Sequence, residues 1–325
     1  MFLLSFEVQI GRAQLRAVEK IEIVSSQATL ADTCVISLPA QERGRGFELE
    51  KIVKRGDAVL VKLGYDNDLR TEFVGYVKAV KPNSPLQIEC EDALFLTRRE
   101  LPNKVFKNTT AVEILRYTVN ELNKTLPKTQ QLEVVAEATG FQYRTFSIHQ
   151  ATGFEVLEKL RTDTGLAIFA RGQKIHLHLQ YGYKAGQQVN YDFAKNIEDS
   201  NELEYARAGE TKLLVKVTGK DAKGKKLEAK AGEQGGDVQV INRPTVSDLG
   251  ALQKIAQQTL NAKQYEGYRG AIRGWLLPYC EVGYSARVKD AGYPERAGRY
   301  YVSSVKTEFS ANGGVRNVGL SIKLS

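Results

Sequence analysis

Histidine, cysteine, tryptophan and methionine are scarce in this sequence: three His, three Cys, one Trp and one Met in 325 residues. So few histidines and thiols leave little material for metal sites or nucleophilic dyads. The cysteines, Cys34, Cys90 and Cys280, are odd in number and far apart, which excludes a dense disulfide framework; their apolar, strand-like neighbours predict small buried side chains. No apolar run approaches the roughly 20 residues that a membrane-spanning helix requires, so no membrane insertion by such a helix is expected. The opening MFLLSFEVQIG has no basic leader and no small-residue cleavage site, and Glu7 follows its apolar patch at once. It reads as a first strand, and a protein made and kept in the cytoplasm is the expectation. A large excess of one charge is also missing, since 46 Lys and Arg are interspersed with 38 Asp and Glu for a net +8. Charge alone therefore selects no partner.

What is present is strand-like. The chain is 42% hydrophobic and carries 15 Tyr, a composition that leans towards sheets, and its length allows two or three domains with cores of their own. Apolar and polar residues alternate at Phe6, Val8 and Ile10, at Ile21 and Ile23, and at Cys34, Ile36 and Leu38. The segment GDAVLVKLGYDNDLRTEFVGYVKAV, Gly56 to Val80, places Val59, Val61 and Leu63 before a polar turn and Phe73 after it, a hairpin pattern. Leu86, Ile88 and Cys90 alternate again, and a small barrel or sandwich is expected for residues 1–100.

The pattern changes at Thr110, which forms a capping box with Glu113 ahead of Val112, Leu115, Val119 and Leu122 at helical spacing. Thr152 and Glu155 form a second box before Leu157 and Leu160, and TGLAIFARGQKIHLHLQ then predicts a hairpin turning at Arg171 and Gly172. Residues 101–202 are thus expected as an inserted α/β domain. Alternation returns at Leu213, Val215 and Val217, and residues 203–325 are expected as a second barrel with an inserted helix over about 247–264, capped by Ser247. The late segment CEVGYSARVKDAGYPERAGRYYVSSVKTEF echoes the early hairpin, with Gly75, Tyr76 and Val77 corresponding approximately to Gly298, Tyr300 and Val302. The two lie about 220 residues apart, far beyond a solenoid period and suited to a duplicated barrel. The expected fold is mainly β with an α/β insertion: two related antiparallel β-barrel domains plus a small α/β module.

Each group that could carry chemistry has a simpler reading. His176 and His178 share one face of a strand, a spacing that can bind metal, yet Lys174 and Gln180 on that face favour solvated residues. A Ser/His/Asp set could be drawn from Asp163 with His149 or His176, but no Gly-x-Ser-x-Gly elbow accompanies it. Glu48 with Glu50, and Glu89 with Glu91, have the alternation of carboxylates on a solvent face rather than of a glycosidase pair. Lys220, Lys223, Lys225 and Lys226 surround Asp221 and Gly224 as a hairpin tip, without the interleaved aromatics of a nucleic-acid site. Gly232, Gly235 and Gly236 lack the Lys-Ser/Thr of a phosphate loop and read as a flexible loop. No catalytic, cofactor-binding or metal residue is assigned.

Taken in order and spacing, GDAVLVKLGYDNDLRTEFVGYVKAV, GFEVLEKLRTDTGLAIFARGQKIHLH, PTVSDLGALQKIAQQTLNA and AGRYYVSSVKTEF resemble the late control protein D family of contractile phages. That family is similar to the myophage baseplate hub and to the N-terminal hub part of the secretion spike protein VgrG. The resemblance covers nearly the whole chain. It implies a non-enzymatic homotrimeric hub in a virion tail or injection-system baseplate, in which two "tube" barrels per subunit form a pseudo-sixfold ring. The implied partners are further copies of the chain, a hexameric tail tube or tube-initiator protein, a tape measure protein and a spike. The chain ends at Ser325 without a β-helical needle, so the spike is expected as a separate polypeptide. Structural roles are expected for Gly75 and Gly298, where a side chain would block close approach, and for Phe73, Tyr76, Tyr300 and Val302 in or beside the cores. A β-barrel binder of nucleic acid or glycan is the second reading, and a wall hydrolase of the tail tip the third.

Overall fold

A computed structural model describes residues 3–39, 52–82, 85–137, 139–198, 201–207, 212–221, 223–244 and 246–324. The N-terminal stretch forms β1 (Leu4–Ile10), β2 (Ala13–Leu15), β3 (Lys20–Ser26), β4 (Thr33–Leu38), β5 (Ala58–Tyr65), β6 (Asp68–Lys81) and β7 (Leu86–Glu91). The β5–β6 hairpin turns at Asp66 and Asn67, both with positive φ (51° and 65°). Those residue types tolerate that conformation, and the mirror-image turn they form matches the twist of the flanking strands. Alternate residues of these strands, among them Val8, Ile21, Ile36, Val61 and Ile88, form one core, in which Cys34 and Cys90 are also buried.

The middle of the chain forms β8 (Lys104–Thr110), β9 (Glu133–Ala136), β10 (Gln142–Ile148), β11 (Ala167–Arg171) and β12 (Lys174–His178), with helices Ala111–Asn123 and Gly153–Thr164. Both expected capping boxes are formed: the Glu113 backbone N–H donates to Thr110 Oγ1 at 3.2 Å, and the Thr110 N–H to the Glu113 carboxylate at 2.8 Å. Thr152 and Glu155 repeat the arrangement. Ile114, Leu115, Val119 and Leu122 are buried on the first helix and Val156, Leu157 and Leu160 on the second. The β11–β12 turn falls at Gly172 and Gln173, one residue later than expected, because Arg171 still pairs with Lys174.

The remainder comprises β13 (Gln188–Asp192), β14 (Leu203–Ala206), β15 (Leu213–Lys220), β16 (Lys226–Gly232), β17 (Asp237–Asn242), the helix Leu249–Lys263, β18 (Gly267–Trp275), β19 (Ser285–Lys289), β20 (Gly298–Ser310) and β21 (Gly313–Lys323). Its side chains divide between two cores. Val215, Val217, Ala229, Leu252 and Ala256 pack with the α/β residues Leu157, Leu160, Ile168 and Ile175. Tyr268, Ile272, Ala286, Val288, Tyr300, Val302 and Val318 form the other core together with Val189 and Tyr191 of β13, which pairs parallel with β19. The helix is capped by Asp248, whose carboxylate accepts the N–H groups of Gly250 and Ala251 at 3.1 and 3.0 Å; Ser247 is not its cap. An aspartate one residue nearer the helix reaches both free amides at once.

The two β cores share one continuous sheet, with strand order β14-β18-β21-β20-β3-β4-β7-β6-β5-β1-β2. The link is β20, a 13-residue strand that begins against β19 and ends against β3, in register from Ser304 with Ser26 to Ser310 with Lys20. Val302 and Val305 of this strand lie in the C-terminal core and Phe309 in the N-terminal one. The fold is mainly β with small α insertions.

Candidate functional site: the charged junction of the three cores

Where the three cores meet, strands supply charged side chains to a cavity of about 250 Å³ lined by Asp32, Glu72, Asp92, Arg171, Tyr279, Glu281 and Arg316, among others. Arg316 sits on β21 in phase with the inward-facing Val318 and Leu320 and is 2% exposed. Its guanidinium donates to both Glu72 carboxylate oxygens at 3.0 and 2.7 Å, to the Leu276 carbonyl at 3.1 and 3.0 Å, and to Thr307 Oγ1 at 3.0 Å. Burial works to discharge the guanidinium, and the Glu72 carboxylate overcomes it, holding the Arg316 pKa above its ordinary value.

Glu72 reaches Arg316 because of a β-bulge. The β5–β6 register passes from Val61 opposite Phe73 to Lys62 opposite Thr71, so Glu72 has no partner across the ladder. A bulge re-aims a side chain that strict alternation would direct to the other face. The pair therefore joins β6 of the N-terminal core to β21, which also packs in the C-terminal core.

The α/β unit is tied in by Arg171, at the end of β11, whose Nη1 lies 2.9 Å from Asp32 Oδ2 in the loop before β4. Asp32 in turn donates its backbone N–H to Asp92 at 3.0 Å, and the other Asp92 oxygen accepts the Leu94 N–H at 2.9 Å to cap the short 3₁₀ turn Ala93–Thr97. Burial raises the pKa of Asp32, against the pull of Arg171. Burial, with the Asp32 charge behind it, drives Asp92 well above the carboxylate range.

A third ionic group closes the β3–β20 seam. Lys20 and Lys306 alternate with Glu22 and Glu308 in a square: Lys20 to Glu22 2.9 Å, Lys20 to Glu308 3.4 Å, Lys306 to Glu22 3.4 Å and Lys306 to Glu308 2.9 Å. Hydrogen bonding from Lys306, then the charges of both lysines, lower the Glu308 pKa to about 2.

The residues singled out in the sequence fall as follows. Phe73 is buried in the N-terminal core, and Tyr76, half-buried, stacks on Phe95 with centroids 5.9 Å apart. A Cβ on Gly75 would stand 2.2 Å from the Glu91 carbonyl oxygen and 2.7 Å from the Phe73 ring. A Cβ on Gly298 would meet the Tyr300 ring at 2.8–3.0 Å. Tyr300 and Val302 are fully buried, and the Tyr300 hydroxyl accepts the Tyr268 backbone N–H at 2.9 Å.

Other expectations are corrected. His176 and His178 are not solvated: they are 8% and 6% exposed, 3.2 Å apart between Nδ1 and Nε2, and enclosed by Phe169 and Tyr183. The strand that carries them, the middle of β11-β12-β9, turns Ile175 and Leu177 into the large core on one face, and on the other face Phe169 and Tyr183 pack over the two imidazoles. Burial, and then His178, push the His176 pKa down to about 4, which keeps that ring neutral. Glu91 is also buried, at 3%; burial acts to raise its pKa, but Arg98 and Lys78 outweigh it and leave it below the ordinary value. Its expected companion Glu89 pairs with Lys81 instead. Glu48 and Glu50 lie outside the described residues. Asp163 has Lys159 and Arg243 as its charged neighbours, and His149 is exposed, so no Ser/His/Asp set assembles from them.

The lysine run does form a hairpin tip, where Asp221 Oδ1 accepts the N–H groups of Lys223 and Lys225 at 2.8 Å each. Of the three glycines after it two are close approaches: a Cβ on Gly232 would stand 2.0 Å from the Leu213 carbonyl oxygen, and one on Gly236 2.1 Å from that of Lys212, whereas Gly235, with φ of 92°, has nothing within 4 Å. Among the described residues no group of three or more His, Cys, Asp or Glu could hold a metal ion. The thiols are kept protonated by burial, which lifts Cys90 to about 12 and Cys280 to about 11. Sequence reasoning passed over Arg316, Glu72, Asp32 and Arg171. The available signal was a charge in the inward row of β21, between Gly314 and Val318.

No family model matches the chain, and no curated protein matches it in sequence. In three dimensions it is similar to the tail protein from Neisseria meningitidis MC58, with a TM-score of 0.66 at 16% identity over 98% of this chain and 96% of that one. The 43 kDa tail protein of prophage MuSo2 from Shewanella oneidensis aligns over 98% of both chains, with a TM-score of 0.61 at 15% identity. The E. coli c3393 protein is a component of the type VI secretion system with structural similarity to the T4 bacteriophage tail proteins gp27 and gp5. It aligns over 98% of this chain and 77% of its own length, with a TM-score of 0.59 at 12% identity. The chain therefore has the fold of these phage tail proteins and of the type VI secretion component.

Proposed function

We propose that the chain is a structural hub subunit of a contractile tail or related injection machine. The observation that carries this reading is an end-to-end likeness: two tail proteins share the fold over 98% of the chain, insertions included. In this reading the role is mechanical rather than catalytic. Two β cores per subunit, taken three times, supply six quasi-equivalent positions to a ring, so a homotrimer adapts a sixfold tail tube to a threefold spike. The reading takes residues 1–100 and 203–325 as the two tube units and 101–202 as the domain between them. Gly75, Phe73, Tyr76, Gly298, Tyr300 and Val302 maintain these units. The charged junction keeps the two β cores in fixed orientation under load, as buried, fully hydrogen-bonded ion pairs favour one geometry.

The partners in this reading are a separate spike protein, the tube or tube-initiator protein and a tape measure protein, with assembly in the bacterial cytoplasm before incorporation into the baseplate. Light scattering on the purified chain, alone and with a candidate spike protein, tests the proposal. A species near three times 36.2 kDa, or a 3:3 complex, supports it. A monomer that ignores the spike at every concentration overturns it.

A further inference from the structure

The sheet β16-β15-β17 is covered on one face by the helix Leu249–Lys263 and ends at β17. Among the described residues no strand pairs with the far edge of β17. Asp237 and Arg243 donate their backbone N–H groups inward, to Lys212 and Thr218 at 2.9 and 2.7 Å. Alternation then directs the N–H and C=O groups of Val238, Val240 and Asn242 at the free edge. Edge strands are normally blunted by lysine, proline, a bulge or an inward charge. The stretch Val238 to Asn242, VQVIN, has no charge and no proline, and its pairing with β15 runs without a bulge. Val238 and Val240 are 54% and 64% exposed.

Beside this edge runs a groove of about 580 Å³ whose lining includes Asp237, Val238, Gln239, Val240, Lys263 and Arg269, two cations against one carboxylate. Two of its polar atoms are buried without a hydrogen-bond partner: Gln239 Oε1, an acceptor, and Arg269 Nε, a donor. Buried groups of this kind cost free energy until a partner arrives.

We propose that β17 is a docking edge that takes an extended segment of another polypeptide as an added strand, with a carboxylate of that segment on Arg269 and Lys263. Main-chain hydrogen bonds to Val238, Val240 and Asn242 would supply affinity, and the exposed valines and the cationic groove would supply selection. The same outer face carries Lys216, in register with Val240 and adding to the preference for an acidic strand, and beyond it Lys230, which is paired with Glu228 at 3.0 Å. A second copy of this chain is the poorer occupant, since its own β17 brings a carboxylate only at Asp237 and each chain carries a net +8. The proposal does not depend on the tail reading.

The test is amide hydrogen exchange on the full chain with a seven-residue synthetic peptide in which valine alternates with threonine and glutamate. Two controls replace its glutamates by lysine or methylate alternate amide nitrogens. Saturable binding that protects the amides of Val238, Val240 and Asn242, weakened about tenfold by lysine and abolished by methylation, is the expected result. Val240→Pro removes one outward donor, and Arg269→Gln removes the charge; each should lose binding while its melting curve keeps its cooperativity. The proposal is overturned by the absence of protection up to roughly 1 mM peptide, or by a methylated peptide that binds equally well. Concentration-dependent protection of the same amides in the chain alone, with a matching rise in mass, would assign the edge to a second copy and overturn it too.

Discussion

The two long strands β6 and β20, whose sequences echo one another, differ in what their glycines and bulges accomplish. β6 belongs to one core: Gly75 lets it pass against the β7 backbone at Glu91, and its bulge turns Glu72 inward to Arg316. β20 belongs to two cores, packing Val302 in one and Phe309 in the other, and Gly298 makes room for the Tyr300 ring instead of for backbone. One sequence pattern, an aromatic strand opened by glycine, thus solves a backbone approach in one place and a side-chain approach in the other. Only β20 crosses between the cores by packing; β6 is tied across by the Glu72–Arg316 ion pair.

The sharpest way to break the comparison is to cut the tie between the strands. Glu72→Ala leaves the Arg316 guanidinium buried without its carboxylate, and a loss of about 3–5 kcal/mol is expected in denaturant unfolding. The transition should also split, since the cores lose their shared charge pair; a single unshifted transition would show that the pair does not couple them.

A smaller effect separates the two glycines. Gly75→Ala must displace a ladder carbonyl and is expected at the upper end of about 1–3 kcal/mol, whereas Gly298→Ala need only tilt a ring and is expected at the lower end. Equal melting shifts for the two variants would erase the distinction drawn between backbone and side-chain approach.

The smallest effect lies at the seam itself. The Glu308 pKa is depressed from 4.5 to about 2, so its contribution is complete above pH 4.5 and is lost as pH falls towards 2. The melting-temperature gap between the natural chain and Glu308→Gln should narrow over that window and shrink with added salt, because the group is largely solvated. A gap constant in pH would attribute the effect to packing.

Much of the local structure was legible. Thr110 with Glu113 and Thr152 with Glu155 announce their helices because a capping box is a contact three residues long. The β5–β6 and β11–β12 hairpins are equally local, each read from alternation on both sides of a short turn. The burial of His176 and His178 was not legible. Lys174 opens their strand and Gln180 follows it, and only the packing of Tyr183 and Phe169 onto the face between them decides that the middle is covered. Glu91 misled in the same way, since its burial depends on Arg98 and Lys78 rather than on alternation.

The sequence by itself determined the class of structure: mainly β, with two capped helices in the middle. Its information is periodic, and periodicity reports which residues share a face of one element. Only the tertiary structure decided which element a face meets. It sent β15 to β17 back onto the α/β core, ran β20 across two cores, and used one bulge to bring Glu72 to Arg316, at contacts far apart in sequence where no local pattern constrains the partner.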